Sequence, residues 1–341
     1  MRESPSSDES PRGPRATIVF VSNTETAPDE LLCGEPPGRA VSVLEPREVP
    51  LGGPRAMTVR RTLPQRRRSL IGAWCFADHY GPADVTETGG MHVAPHPHTG
   101  LQTASWLFSG EIEHRDSLGT HAMVRPGELN LMTGGHGICH SEVSTPETTV
   151  LHGVQLWIAL PDEHRHAPRA FRHYAPPERD LGDASARVFL GSLAEETSPV
   201  ETFTPLLGAE LTLNPGARLS LAVDPSFEHG VLVDFGAVSL HGTDLAAAEL
   251  GYAGPGRDRL ELANGERAAR VLLLGGPPFG EEIVMWWNFL GRSHDEIAAY
   301  REAWQAESDQ FGRVEGFDGT PRRLPAPALP NSRLVPRRNP N

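Results

Sequence analysis

Lysine is absent from this chain of 341 residues, so its 31 permanently basic side chains are all arginines. They face 44 aspartates and glutamates, for a formal net charge of −13. An acidic surface of that kind repels phosphate backbones unless cations cluster locally. Only Arg66-Arg67-Arg68 and the pair Arg337-Arg338 are dense, and both are short enough to read as solvated surface, so direct nucleic-acid binding is not expected. Cysteine is scarce. Cys33, Cys75 and Cys139 cannot all pair and show no C-x-x-C spacing, which excludes a disulfide framework and a cysteine zinc site. No uncharged apolar run approaches the roughly 18 residues of a membrane span. The apolar stretch Ala16–Val21 is too short for the core of a signal peptide, so a cytoplasmic protein is the expectation. Also missing are a G-x-S-x-G elbow and any glycine cluster that leads into a lysine-bearing helix, since Gly134-Gly135 and Gly275-Gly276 do not. His114, Asp116 and Ser117 are therefore read as part of a strand and the turn Asp116–Gly119 rather than as a hydrolase triad.

What the chain has in excess is glycine, 35 residues, and proline, 32 residues, above the usual ~7% and ~5%. They punctuate short apolar segments such as Leu101–Ser109, Val150–Ala159, Ala209–Leu213 and Ala268–Leu274. Many short strands between turn signals form an all-β pattern, and ten or more of them fit two barrels or sandwiches. One helix is signalled over His294–Ala306, where Ser293 and Glu296 have capping-box spacing and Ile297, Tyr300 and Trp304 recur on one face. The domain expectation is a disordered extension over 1–40, a first barrel over 41–180, a second barrel plus the helix over 181–310, and a Pro/Arg-rich tail over 311–341.

The chemically informative stretch is Gly90-Met-His-Val-Ala-Pro-His96-Pro-His98, followed by Gly137-Ile-Cys-His140-Ser-Glu142. Residues i and i+2 of a strand share a face, so His96 with His98, and His140 with Glu142, can point together into one barrel. Three imidazoles and a carboxylate suit a divalent transition metal, and ligand type alone leaves iron, nickel, copper, manganese and zinc open. Cys139, at the opposite parity, should face out of the barrel as a small buried hydrophobe. His229 and His241 in the second half are isolated, so no metal is expected there.

The spacing Gly90-x5-His96-x-His98 resembles the first motif of the cupin superfamily. The segments Gly110-Glu-Ile-Glu-His-Arg-Asp-Ser-Leu-Gly119 and Met132-Thr-Gly-Gly-His-Gly-Ile-Cys-His140-Ser-Glu142 resemble the pirin family within it. This resemblance implies a bicupin, two tandem antiparallel β-barrels of jelly-roll type with a C-terminal helix, and metal in the first barrel only. It implies His96, His98, His140 and Glu142 as ligands, usually of Fe(II), with two coordination positions open. Gln102 stands where the family commonly has glutamate and is expected to point inward as an outer partner of the site. His136, in the glycine-rich turn, is either a residue at the mouth of the site or a solvent-exposed turn histidine, and the second reading is preferred. Gly280–Ser293 resembles the family's closing stretch, with Trp286 and Trp287 expected as packing. The activity implied is quercetin 2,3-dioxygenase chemistry on a flavonol or related aromatic enol with O2, and Glu142 is the proton acceptor. The competing implication is a non-catalytic, iron-dependent redox regulator that binds a transcription factor or a metabolic enzyme.

Overall fold

Strands dominate because the apolar segments are short and are broken every few residues by glycine, proline or a polar turn. The computed structural model describes residues 41–51 and 57–339. The extension expected over 1–40 lies outside the described residues. Among those described, one α-helix, His294–Gln305, stands against 26 strands, and no helix is long and apolar enough to cross a membrane.

Apart from two short hairpins, Ser192–Leu193 with Glu196–Thr197 and Val284–Trp286 with Phe289–Gly291, the strands form two barrels, each made of a seven-stranded and a four-stranded sheet. In the first barrel the large sheet runs, in spatial order, Ala170–Tyr174, Leu129–Thr133, Leu101–Ser109, Val150–Ala159, Trp74–Asp84, Met57–Leu63, Arg47–Leu51. Its small sheet runs His92–His98, Ile138–Ser144, Ile112–Asp116, His121–Val124. The second barrel repeats this order. Its large sheet is Val41–Leu44, Leu250–Ala253, Glu228–Phe235, Ala269–Gly276, Leu207–Leu213, Ala184–Leu190, Arg179–Asp180, and its small sheet is Arg218–Ala222, Arg259–Asn264, Val238–Leu240, Thr243–Leu245.

Two strands depart from the boundaries read from sequence, since Arg179–Asp180, at the very end of the expected first barrel, pairs with Ala184–Leu190 of the second, and the other lies at the opposite end of the range. Val41–Leu44, assigned there to the first barrel, pairs antiparallel with Leu250–Ala253 and completes the second. Its pairing is set by an edge more than 200 residues away in the chain, which local pattern does not reveal. The tail from 311 onward also belongs with the first barrel. Phe311 and Ala326 are buried, Arg337 bridges to Ile283, and the Asn339 amide oxygen accepts from the backbone N–H groups of Ser69 and Leu70 at 2.8 Å each.

The two large sheets share one apolar layer. Ala104, Trp106, Leu131 and Leu156 of the first meet Leu232, Leu250, Leu272 and Leu274 of the second. Backbones approach closely here: a Cβ on Gly72, at φ +52°, would lie 2.7 Å from the Cα of Gly276. Polar pairs cross the layer too. The Trp106 indole donates to Glu210 at 2.7 Å, and the His79 and His152 rings both face one oxygen of Asp234, at 2.7 and 2.5 Å. Arg270 donates to the other oxygen at 2.7 Å. Burial alone would raise the Asp234 pKa, but the hydrogen bonds from His152 and His79 and the Arg270 charge outweigh it and hold the carboxyl well below the usual carboxylate range.

Replacing Asp234 by Asn leaves the half-buried Arg270 guanidinium without its counter-charge and the two buried histidines without a carboxylate acceptor, a loss of about 1.5–3 kcal/mol. Equilibrium urea unfolding should register that loss, and a change within about 0.5 kcal/mol, typical of a surface substitution, would contradict the role given to this carboxylate.

Candidate metal centre

The site is built on the edge strand His92–His98 and its neighbour Ile138–Ser144, which pair antiparallel with His96 opposite His140 and Ile138 opposite His98. Pro95 and Pro97 fit an edge, since they lack the donors an inner strand must supply. The free Pro95 carbonyl is taken up by the Leu324 N–H of the tail at 2.8 Å. Alternation sends His96 and His98 inward together and likewise His140 and Glu142, and the register shift opposite the latter pair falls on the partner strand, between Val93 and His96.

There the rings converge. The Nε2 atoms of His98 and His140 lie 3.0 Å apart, and the ring centroids of His96 and His140 are separated by 4.3 Å. One ligand nitrogen from each of His96, His98 and His140 falls within 4.8 Å of the others. Glu142 forms an equally tight group with His140 and His114, and it lines one cavity of about 450 Å³ with all three site histidines. The four residues singled out from sequence are thus brought to one place.

Protonation favours ligation. Burial pushes His96 down to about 4, with a partly opposing hydrogen bond to the Ala94 carbonyl. Burial, reinforced by the neighbouring imidazoles, holds His98 and His140 well below the ordinary histidine value. Neutral rings carry the lone pairs a metal needs. His96 Nδ1 lies 3.0 Å from the Ala94 carbonyl oxygen, which makes Nδ1 the donor and leaves the Nε2 lone pair free. Burial raises Glu142, against a smaller lowering by His114 and the Ser105 hydroxyl. Two buried nitrogens facing each other at 3.0 Å, beside a carboxyl that burial disfavours as an anion, form a donor set that a divalent cation would satisfy.

Sequence reading passed over the next layer. His114 is buried on the adjoining strand, where Glu142 pairs with His114 and His140 with Asp116. His140 Nδ1 lies 3.3 Å from His114 Nδ1, and His114 Nε2 lies 3.2 Å from Asp116 Oδ2. The other Asp116 oxygen accepts from the Leu118 and Thr120 backbone N–H groups. The sequence carries a signal for it, a third i, i+2 pair, His114-x-Asp116, on the strand next to His140 and Glu142.

Gln102 is a correction. It is buried yet shares the face of Ala104 and Trp106 toward the other barrel, where its amide donates to Thr133 at 3.0 Å. The turn at Thr99-Gly100, with Gly100 at φ +68°, breaks the parity that was extrapolated from His98. A Cβ there would sit 2.3 Å from the Leu290 carbonyl oxygen, so glycine is needed for the chain to pass. On the face that does look inward, Ser105 donates to Gln155 at 2.9 Å. His136 is the solvent-exposed turn histidine of the preferred reading and not a residue of the site. Its exposed ring faces the Ala167 carbonyl, outside the cavity wall.

Phe76 and Trp157 stack at 4.1 Å with 13° between their planes and form one side of the cavity. Asp78, held by Arg61 at 2.6 and 2.7 Å, lies beside them. Trp287, expected as packing only, lines the cavity as well as touching Phe289. Cys139 faces outward against the helix and tail, and burial raises its thiol to about 11. In the second barrel the matching pair of strands places Leu221 opposite Leu260 and Leu219 opposite Leu262, all within the apolar core.

Fold and site together define a bicupin with a mixed nitrogen and oxygen donor set in its first barrel. The sequence pattern of the family described as Pirin matches residues 56–158, and that of the Pirin C-terminal cupin domain matches residues 208–311. A Pseudomonas aeruginosa protein named "Putative quercetin 2,3-dioxygenase" is 45% identical over 91% of this chain and 98% of its own length. A pirin-like protein of Caulobacter vibrioides is 35% identical over 73% of this chain and 88% of its own. The crystal structure of a quercetin 2,3-dioxygenase from Acinetobacter baumannii superposes with a TM-score of 0.81 at 38% identity, covering 86% of this chain and 96% of that one. The chain belongs to the pirin family.

Because His114 orients His140 without reaching the cavity, His114→Asn should weaken metal binding by about 10–100-fold, the usual effect of removing an outer partner of a ligand histidine. Competition with a chelator measures this, and unchanged affinity would contradict the relay. Acid should also destabilise the metal-free protein. The folded-state pKa values of His96, His98 and His140 lie below the unfolded value, so as pH falls through about 6.5 the unfolded chain takes up protons that the folded chain refuses. Unfolding free energy should therefore decline from pH 7 to 5, and a flat profile would contradict these burial effects.

Proposed function

We propose that this protein is a metal-dependent dioxygenase of the quercetinase type, acting on a flavonol or related aromatic enol. The observation that carries the reading is the convergence of three neutral imidazoles and one carboxyl on a cavity walled by stacked aromatic rings. The names of the Pseudomonas and Acinetobacter relatives support it.

His96, His98, His140 and Glu142 would hold one divalent transition metal, Fe(II) by the family's habit. When bound, such an ion supplies Lewis acidity toward an enolate oxygen and a redox-active centre for O2. The chain's own residues do the rest. The Ala94 carbonyl and the His114–Asp116 pair fix two of the ligand rings before substrate arrives, so no reorganisation is needed on binding. Phe76 and Trp157 offer a flat apolar wall against which the substrate rings stack and which keeps bulk water from them. Glu142 accepts the proton of the enol hydroxyl. Its burial makes the carboxylate a stronger base than a solvated one, and proton transfer of this kind contributes about 10²–10⁴-fold. Loss of the proton leaves the electron-rich enolate that O2 attacks, and ring opening releases carbon monoxide.

Glu142→Gln should keep metal through its three imidazoles yet lose about 10²–10⁴ of its flavonol-dependent oxygen uptake. Unchanged consumption by a metal-loaded variant would remove the base assignment. Iron-loaded wild-type protein that takes up no oxygen with any flavonol would remove the enzyme reading.

A further inference from the structure

The sequence holds two dense arginine stretches, and neither is used by the metal centre. The fold brings them together. A groove of about 700 Å³ is lined by Arg66 and Arg67 from one stretch and Arg337 from the other, together with Arg47 and Arg333. Among the described residues no aspartate or glutamate contributes to its wall, in a chain where acidic residues outnumber arginines 44 to 31. Among the described residues, Arg333 alone of the five has a carboxylate within ion-pair distance, Asp295 at 2.8 Å. The two neighbouring arginines outside the groove wall are engaged elsewhere, Arg68 with Glu228 and Arg338 with Glu282. Gathering like charges around a concave surface raises the local potential, and that potential favours an anion there.

The groove adjoins the metal cavity. Arg47, Pro64 and Met285 line both spaces, and the Arg47 charge reaches into the cavity, where it helps lower Asp78 against the dominant effect of burial. The groove floor is apolar at Ile283, Val284 and Leu334, while Gln65, Ser69 and Ser332 add hydrogen-bonding groups at its wall. A ligand that occupies both spaces would have an aromatic body against Phe76 and Trp157 and an acidic substituent among the arginines. Guanidinium forks match the oxygens of sulfate, carboxylate or phosphate groups.

We propose that the groove is an anion subsite of the metal cavity, and that the physiological substrate class is an anionic conjugate of an aromatic enol rather than a neutral flavonol. This rests on the dioxygenase reading for its aromatic half and on the arginine groove for its anionic half. The flanking tail, held by Arg337 to Ile283 and by Asn339 to Leu70, then supplies part of the substrate site.

The test compares quercetin with quercetin sulfonated on its catechol ring. Binding is followed by calorimetry on the full-length, metal-loaded protein, and oxygen uptake is recorded in parallel. The sulfonate should bind about ten-fold more tightly than quercetin at about 50 mM salt, and this ratio should fall toward one at about 500 mM salt, where screening shortens to a few Å. The ratio should also collapse in Arg66→Ala/Arg67→Ala and in Arg333→Ala/Arg337→Ala, with metal content reporting that each variant is folded. A ratio near one in the wild type, or a preference that survives both high salt and the arginine variants, overturns the proposal, as does absence of binding by either probe. Preferential, salt-sensitive binding of the sulfonate without oxygen uptake would sustain the anion subsite and defeat the dioxygenase reading. Equal binding with normal uptake of oxygen would do the reverse.

Discussion

Three imidazoles buried side by side in the first barrel are the constraint on which the rest of the site depends. Burial keeps the rings of His96, His98 and His140 neutral, and two of their nitrogens face each other at 3.0 Å. Facing nitrogens of two neutral rings can share only one proton between them, so a cation that accepts both lone pairs stabilises the arrangement further. The barrel tolerates it because every supporting contact is backbone or buried side chain: the Ala94 carbonyl behind His96, and His114 and Asp116 behind His140. The tail and helix then close the outer face of the same strands through Cys139, Phe311 and Trp304.

The internal repeat shows what the same scaffold does without that constraint. Both barrels have the same strand order, and the second uses the corresponding paired strands to place Leu219, Leu221, Leu260 and Leu262 in its core. Leucines at those positions gain roughly 1.5–3 kcal/mol each on burial. A stabilising second barrel backed against the first through a continuous apolar layer offsets the polar burden of the metal cavity. Specialisation of one barrel for chemistry and the other for support follows from four inward positions.

Much of this was legible in sequence because it is local. Strand alternation alone places His96 with His98 and His140 with Glu142, and the segments Leu101–Ser109 and Val150–Ala159 carry their boundaries in their turns. The helix was legible as well. Ser293 caps it by accepting from the Glu296 N–H at 3.2 Å, although the Glu296 carboxylate reaches back to the Arg292 N–H rather than to that of Ser293. What failed was parity carried across a turn, at Gly100, so Gln102 was assigned to the wrong face. Nonlocal pairing was also out of reach. Neither the exchange of Val41–Leu44 into the second barrel nor the meeting of Arg66 and Arg67 with Arg337 leaves a mark on any short window.

The most direct test of the account is anomalous diffraction from crystals grown with iron under anaerobic conditions. The account predicts one strong peak per chain, within bonding distance of His96, His98, His140 and Glu142, and none in the second barrel. A peak at His79, His152 and Asp234 instead, or no peak beside the three imidazoles, would contradict it.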